Sequence, residues 1–301
     1  MTTKMLLLAA FLAVPALAQP RTFGKSVEPF RMDVRLQGLY FDNFYQTSDP
    51  DRIREMSALG IELRGAYRRP ATRTDYYGHL QYQRWSGESL AASYSGRIGV
   101  SRESDQQSFN VFLHRNQNRP SFEVGNTYAR ADTTIGEANY SYRVSPNWEP
   151  GLQAVLERQT YGDAPARNND FGGGGVSIRY HGFGPNFTPR AGFLRGIRKV
   201  ENVEENYRED NYFLEVSTER FSPFWLQFGV SSRGRIYSIA DRDSYNFRRE
   251  DTGPSLQFIA AVRTHPRVTW SLYYAHETAD SNVTNAGFDL NFAILTVTYG
   301  F

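Results

Sequence analysis

The chain has 301 residues, 22% of them charged, with a net formal charge of +2 and no cysteine. The missing cysteine excludes a disulfide framework, a thiol nucleophile, a Cys-ligated zinc site and a lipid-modified cysteine. Acidic and basic residues alternate without a basic block, so no nucleic-acid partner is expected, and no motif calls for a cofactor or a metal.

Residues 1–18 carry Lys4, an apolar run from Met5 to Leu17 and the small-residue site Ala16-Leu17-Ala18. This is the pattern of a secretory signal peptide cleaved before Gln19. It is also the only long apolar run, so no transmembrane helix is expected in the remaining chain. The mean hydropathy of −0.56 suits strands with one wet face. Among the cations, Lys4, Lys25 and Lys199 are the only lysines. Arginine's planar fork stays charged when partly desolvated, which fits a structural role; arginine-rich codon usage is the other reading, and both stay open.

Residues 19–30 read as a short tail. From residue 31 onward the sequence settles into segments of alternating apolar and polar residues, the period of strands with two unlike faces. Strands are expected near 32–44, 56–68, 75–86, 89–101, 107–115, 133–145 and 149–160, then near 171–181, 187–198, 210–220, 223–236, 254–264, 267–277 and 288–301. Leu59, Ile61, Leu63, Gly65 and Tyr67 oppose Glu62, Arg64 and Arg68, and Phe224, Leu226, Phe228 and Val230 oppose Gln227, Gly229, Ser231 and Arg233. The stretch from Asn116 to Asp132 is assigned to one long loop, because an extra strand there would break the even count. In the last segment Phe288, Leu290 and Phe292 are out of phase with Leu295, Val297, Tyr299 and Phe301, which a β-bulge near Ile294 would reconcile.

Three short turns, Ser145-Pro146-Asn147-Trp148, Ser222-Pro223-Phe224-Trp225 and Thr264-His265-Pro266-Arg267, place proline beside residues suited to a membrane interface. They alternate with long polar connections at 160–170, 199–210, 238–253 and 276–287.

The final strand, ending Val297-Thr298-Tyr299-Gly300-Phe301, resembles the terminal strand of Gram-negative outer-membrane β-barrel proteins. The resemblance implies that Val297, Tyr299 and Phe301 form the signal read by the barrel assembly machinery. It also implies location in the outer membrane, among its lipid and lipopolysaccharide. The expected fold is all-β: a transmembrane, antiparallel, up-and-down barrel of about 14 strands, with 12 or 16 as alternatives. The domain reading is then 1–18 signal peptide, 19–30 short periplasmic tail and 31–301 barrel. A soluble β-sandwich is the rival fold, but hairpin after hairpin with aromatics at strand ends favours the barrel.

With the apolar face turned to lipid, the opposite face lines the interior. Its candidate pore-lining residues are Arg35, Glu62, Arg64, His79, Arg97, His114, Glu137, Arg143, Glu157, Arg179, Arg190, Arg198, Glu215, Arg233, Arg235 and Arg263, with Glu219 on the same alternation. Such rows either line a wet pore or cross-link and close it. A barrel of about 14 strands has room for water, so the expectation is a porin-like channel for passive, weakly selective diffusion of small polar or anionic solutes. The alternatives are the barrel of an exopolysaccharide or other export system, weakly suggested by Gly38-Leu39-Tyr40-Phe41-Asp42-Asn43, a closed structural barrel, or a hydrolase. Fatty-acid transporters also have fourteen strands, but residues 19–30 are too few for their plug. His276, Glu277 and Asp280, beside Ser281, match neither outer-membrane hydrolase pattern and are placed in a polar loop, so no enzyme activity is expected.

Three smaller features have bland readings. His79, His114 and His181 are expected as scattered wall residues rather than a pH gate. Gly172 to Gly175 is expected to mark a local deformation of the barrel. The acidic run from Glu201 to Asp210 is expected as a solvated loop rather than a divalent-cation bridge to lipopolysaccharide phosphates. The oligomeric state is not encoded in any motif.

Overall fold

In the computed structural model the described residues are 29–42, 55–86, 92–124, 127–162, 164–184, 186–201, 206–240, 248–283 and 287–301, with the side chains of 121–129, 239, 240 and 248 outside the description. The signal-peptide segment 1–18, most of the tail and Glu204–Glu205 of the acidic run lie outside the described residues.

Fourteen antiparallel strands close into one barrel in which each pairs with its sequence neighbours and the first pairs with the last. The first seven are β1 (Phe30–Phe41), β2 (Met56–Arg69), β3 (Thr74–Trp85), β4 (Ala92–Glu103), β5 (Gln107–Val124), β6 (Thr127–Tyr142) and β7 (Trp148–Tyr161). The rest are β8 (Asn169–Tyr180), β9 (Thr188–Val200), β10 (Tyr207–Thr218), β11 (Phe224–Ala240), β12 (Arg248–His265), β13 (Val268–Ser281) and β14 (Phe288–Gly300). No helix among the described residues is long and apolar enough to cross a membrane. Phe30, assigned to the tail from sequence, already belongs to β1.

Strand ends define two rims. Tight turns, including the three proline turns, join strands at the rim where β1 starts and β14 ends, here the terminal rim. The opposite rim carries the longer connections and is the loop rim. Several connections are shorter than the sequence suggests, because β7, β11, β12 and β13 run on past their apolar stretches. The largest departure is the expected loop from Asn116 to Asp132. There β5 continues to Val124 and β6 begins at Thr127, with register shifts between Asn116 and Arg119 and between Pro120 and Phe122. Beyond the bilayer a hairpin has no lipid to face, so the apolar alternation that marks strands from sequence is no longer required there.

The outer wall is apolar. Leu36, Leu63, Leu80, Ile98, Leu113, Leu156, Leu214, Phe228 and Leu295 all stand exposed on it. Tyr67, Tyr76, Trp148, Trp270 and Tyr299 ring it near the terminal rim, and Tyr40, Tyr82 and Tyr94 lie toward the loop rim. A belt of aliphatics between aromatic girdles is the surface a bilayer selects.

The seam between first and last strands is held over its full length, from Asp33 opposite Gly300 to Phe41 opposite Phe292. Phe41 stacks on Phe292 with ring centroids 4.3 Å apart, and the Asn291 backbone N–H donates to Asp42 Oδ1 at 2.7 Å. The expected bulge near Ile294 is absent, since β14 pairs with β1 and β13 without a register shift. Phase is reconciled another way: Phe288, Leu290 and Phe292 point into the barrel and are buried there.

Candidate functional site

Strand alternation carries the predicted lining residues to the inner wall: Arg35 on β1, Glu62 and Arg64 on β2, His79 on β3, Arg97 on β4, His114 on β5, Glu137 on β6 and Glu157 on β7. Arg179 follows on β8, Arg190 and Arg198 on β9, Glu215 on β10, Arg233 and Arg235 on β11 and Arg263 on β12. Arg143 lies just past β6 and turns toward Glu149. Glu219 is exposed in the turn after β10 and leaves the set.

The interior divides along the barrel axis. Near the loop rim, inward side chains are buried on every strand. One arc of that layer is apolar: Leu39, Phe41, Met56, Ala58, Trp85, Phe288, Leu290 and Phe292 form a single packed cluster. It continues down the wall through Ala275, Tyr273, Ile259 and Ala261 to Trp225 near the terminal rim. Trp225, expected at the membrane interface, therefore turns inward while its neighbour Phe224 faces out. The Trp85 indole N–H donates to Ser93 Oγ at 2.9 Å, so its polar edge is satisfied inside the layer.

Along the other arc arginines pair with carboxylates, and Arg198, Arg235 and Arg249 also lie against aromatic rings. Arg198 is 3% exposed, donates to Glu157 Oε1 at 2.9 Å and to Asn169 Oδ1, and lies 5.0 Å from the centroid of Phe171. Arg235, also 3% exposed, donates from Nε to Glu209 Oε2 at 2.6 Å and lies 4.9 Å from Tyr207. Arg233 Nη2 stands 3.0 Å from Glu277 Oε1, and Arg249 Nη2 2.7 Å from Asp251 Oδ2. Desolvated charges persist only when paired, and each of these guanidinium groups has its carboxylate.

Toward the terminal rim the inner wall is wetter. Arg35, Arg64 and Arg179 keep side-chain exposures of 21, 18 and 33%. Among the described residues Arg97 makes no ion pair; its guanidinium lies 4.3 Å from the Phe112 ring centroid. Carboxylates such as Asp33, Glu62 and Glu215 share this half with amides and hydroxyls: Gln81 donates to Gln37, Ser95 donates to Gln81 at 3.0 Å, and Tyr77 donates to Asn110 at 2.7 Å. Between β3 and β9 this half opens into a recess of about 250 Å³ bordered by Arg179 and Arg190 and by Asp75, Glu103 and Glu149.

The smaller features resolve geometrically. His79 and His114 are not scattered, for their rings meet edge to face at 5.7 Å; His79 Nδ1 sits 3.2 Å from Glu62 Oε1 and His181 Nε2 2.8 Å from Glu149 Oε2. The four glycines do not deform the barrel, because β8 pairs with β7 and β9 without a shift. They make room instead. A Cβ on Gly173 would lie 3.1 Å from the Phe171 ring and one on Gly196 2.1 Å from it, so glycines seat the ring that carries Arg198. The acidic run is split by the wall: Glu209 faces in to Arg235, and Asp210 faces out to Arg195, whose Nε donates at 2.7 Å. The hydrolase candidates are split in the same way. Glu277 points inward to Arg233, while His276 accompanies Asn291 on the outside at 3.0 Å, both on strands rather than in a loop.

Sequence reasoning missed the apolar arc of the interior. Its signal was the phase of Phe288, Leu290 and Phe292, read as a bulge because apolar residues were assigned to lipid.

No protein-family model matches the chain, and no curated protein does. Among solved structures, a loop-deletion mutant of OmpT, an outer membrane protein of Vibrio cholerae, matches with TM-score 0.50 at 8% identity, over 90% of this chain and 99% of that one. A bacterial polysaccharide outer membrane secretin matches at TM-score 0.46 and 8% identity over 90% and 98%. OccAB4 of Acinetobacter baumannii matches at TM-score 0.47 and 8% identity over 91% and 99%. The first likeness is one of fold: the chain folds as an outer-membrane-type β-barrel.

Proposed function

We propose that the protein is an outer-membrane channel for small polar or anionic solutes, held closed near its loop rim in this conformation. One observation carries the reading: an apolar outer wall encloses an inner wall on which Arg35, Arg64 and Arg179 keep side-chain exposures of 21, 18 and 33%. A low-dielectric wall focuses the field of such charges into the lumen, and an excess of arginine favours anions. The strand number supports it too, lying between barrels of about eight strands that side chains fill and barrels of about 16–18 that hold an aqueous channel.

The test is conductance of the folded protein in planar bilayers under a salt gradient. The expected result is infrequent current with an anion-preferring reversal potential, made more frequent by Leu290→Ala in the apolar arc. Silence from both proteins, each verified as a folded, heat-modifiable barrel, would overturn the channel and move the function to the loops or to an export partner.

A further inference from the structure

The recess at the terminal rim is bordered by charges of both signs and by neutral polar groups. Two guanidinium groups enter it from adjacent strands. Arg179 gives one Nη to Glu149 Oε1 at 2.9 Å and keeps 33% side-chain exposure. Arg190 is fixed on three sides: Nη2 donates to Ser177 Oγ at 3.2 Å, Nη1 lies 3.5 Å from Glu215, and its plane sits 5.0 Å from the Phe213 centroid.

Three carboxylates border the recess: Glu103 stands exposed at the end of β4, and Glu149 and Asp75 are taken up by other groups. Glu149 is already engaged by the Ser141 hydroxyl at 2.6 Å, by Arg179 and by His181 at 2.8 Å. Asp75 has Arg31 at 3.6 Å and Arg68 at 3.9 Å. The opposite side offers neutral groups of both kinds. Asn110 accepts from Tyr77 through Oδ1 and keeps its amide donors, while Asn139 donates to Glu137 at 2.6 Å and keeps its carbonyl acceptor. Charge is therefore met on one side and hydroxyl groups on the other.

We propose that this recess is a binding station for a small hydroxylated monocarboxylate, a hydroxy acid or sugar acid, with the carboxylate toward Arg179 and Arg190 and the hydroxyls toward Asn110 and Asn139. The volume of about 250 Å³ lies below the range of drug-sized pockets and suits a solute of this size. Glu103, Glu149 and Glu215 around the guanidinium groups repel a doubly charged anion more than a singly charged one, which favours a monocarboxylate over inorganic phosphate. The station names the solute class of the proposed channel and rests on that reading.

Calorimetric titration of the detergent-folded full chain with gluconate, glucose and inorganic phosphate tests it without requiring current. Gluconate is expected to bind, and glucose and phosphate to bind about tenfold or more weakly. Arg179→Gln and Arg190→Gln are each expected to lose about tenfold in gluconate affinity, and Arg179→Lys, which keeps charge without the fork, to lose less. Arg195→Gln, on the outer face beside Asp210, should bind as the parent does. Equal binding of gluconate and glucose, tighter binding of phosphate, or unchanged affinity in folded Arg179→Gln and Arg190→Gln proteins would overturn the station. Current without gluconate binding removes the station and keeps the channel; gluconate binding with silent bilayers keeps the station and removes the channel.

Discussion

The two ends of the interior use the same side chains for opposite purposes. Near the loop rim arginine is dry: Arg198 and Arg235 lie against aromatic rings with a carboxylate each. Near the terminal rim arginine is wet: Arg35 and Arg64 share Asp33 at 3.3 and 3.9 Å and remain in contact with solvent. A fully desolvated pair is an integral part of the packing, whereas a solvated one is adjustable and offers its spare donors to a passing anion. Position in the barrel, not residue type, decides whether an arginine is packed away from water or left in contact with it.

That contrast breaks most visibly at its buried end. Arg198→Met leaves Glu157 desolvated without its cation, and the expected loss of stability is about 3–5 kcal/mol, measured as a lower urea midpoint of the folded, heat-modifiable form. Adding Glu157→Leu should restore much of it; a single variant as stable as the parent would mean that the layer is wet. Leu290→Ala removes a side chain that is 1% exposed, for an expected loss of about 2–5 kcal/mol together with more frequent openings. At the wet end, Arg64→Gln is expected to change stability by about 1 kcal/mol or less while lowering the anion-to-cation permeability ratio. Labelling sharpens the map further, since the parent has no cysteine. A water-soluble thiol reagent should modify Arg64→Cys quickly and Arg235→Cys slowly, and should leave Leu63→Cys unmodified in the bilayer. Fast labelling at position 235 would dissolve the distinction between the two halves.

Strand positions were readable from local alternation. The segment expected near 56–68 is Met56–Arg69, and that near 288–301 is Phe288–Gly300. Where the chain leaves the bilayer the signal fails, as in the upper part of β5 and β6, because nothing there demands an apolar face. The candidate site was legible in its charges and illegible in its apolar half. Met56, Trp85 and Leu290 obey the inward phase of their strands, yet hydrophobicity alone assigns them to lipid.

The amino-acid sequence by itself determined which residues form strands and which share a face, because a pleated strand alternates its side chains at every step whatever surrounds it. Only the tertiary structure decided which inward residues meet. Arg198 and Glu157, 41 positions apart, come together two strands away from each other, and Phe41 stacks on Phe292 across the closing seam. Those meetings depend on the stagger with which fourteen strands close, a property of the whole ring that no single strand contains.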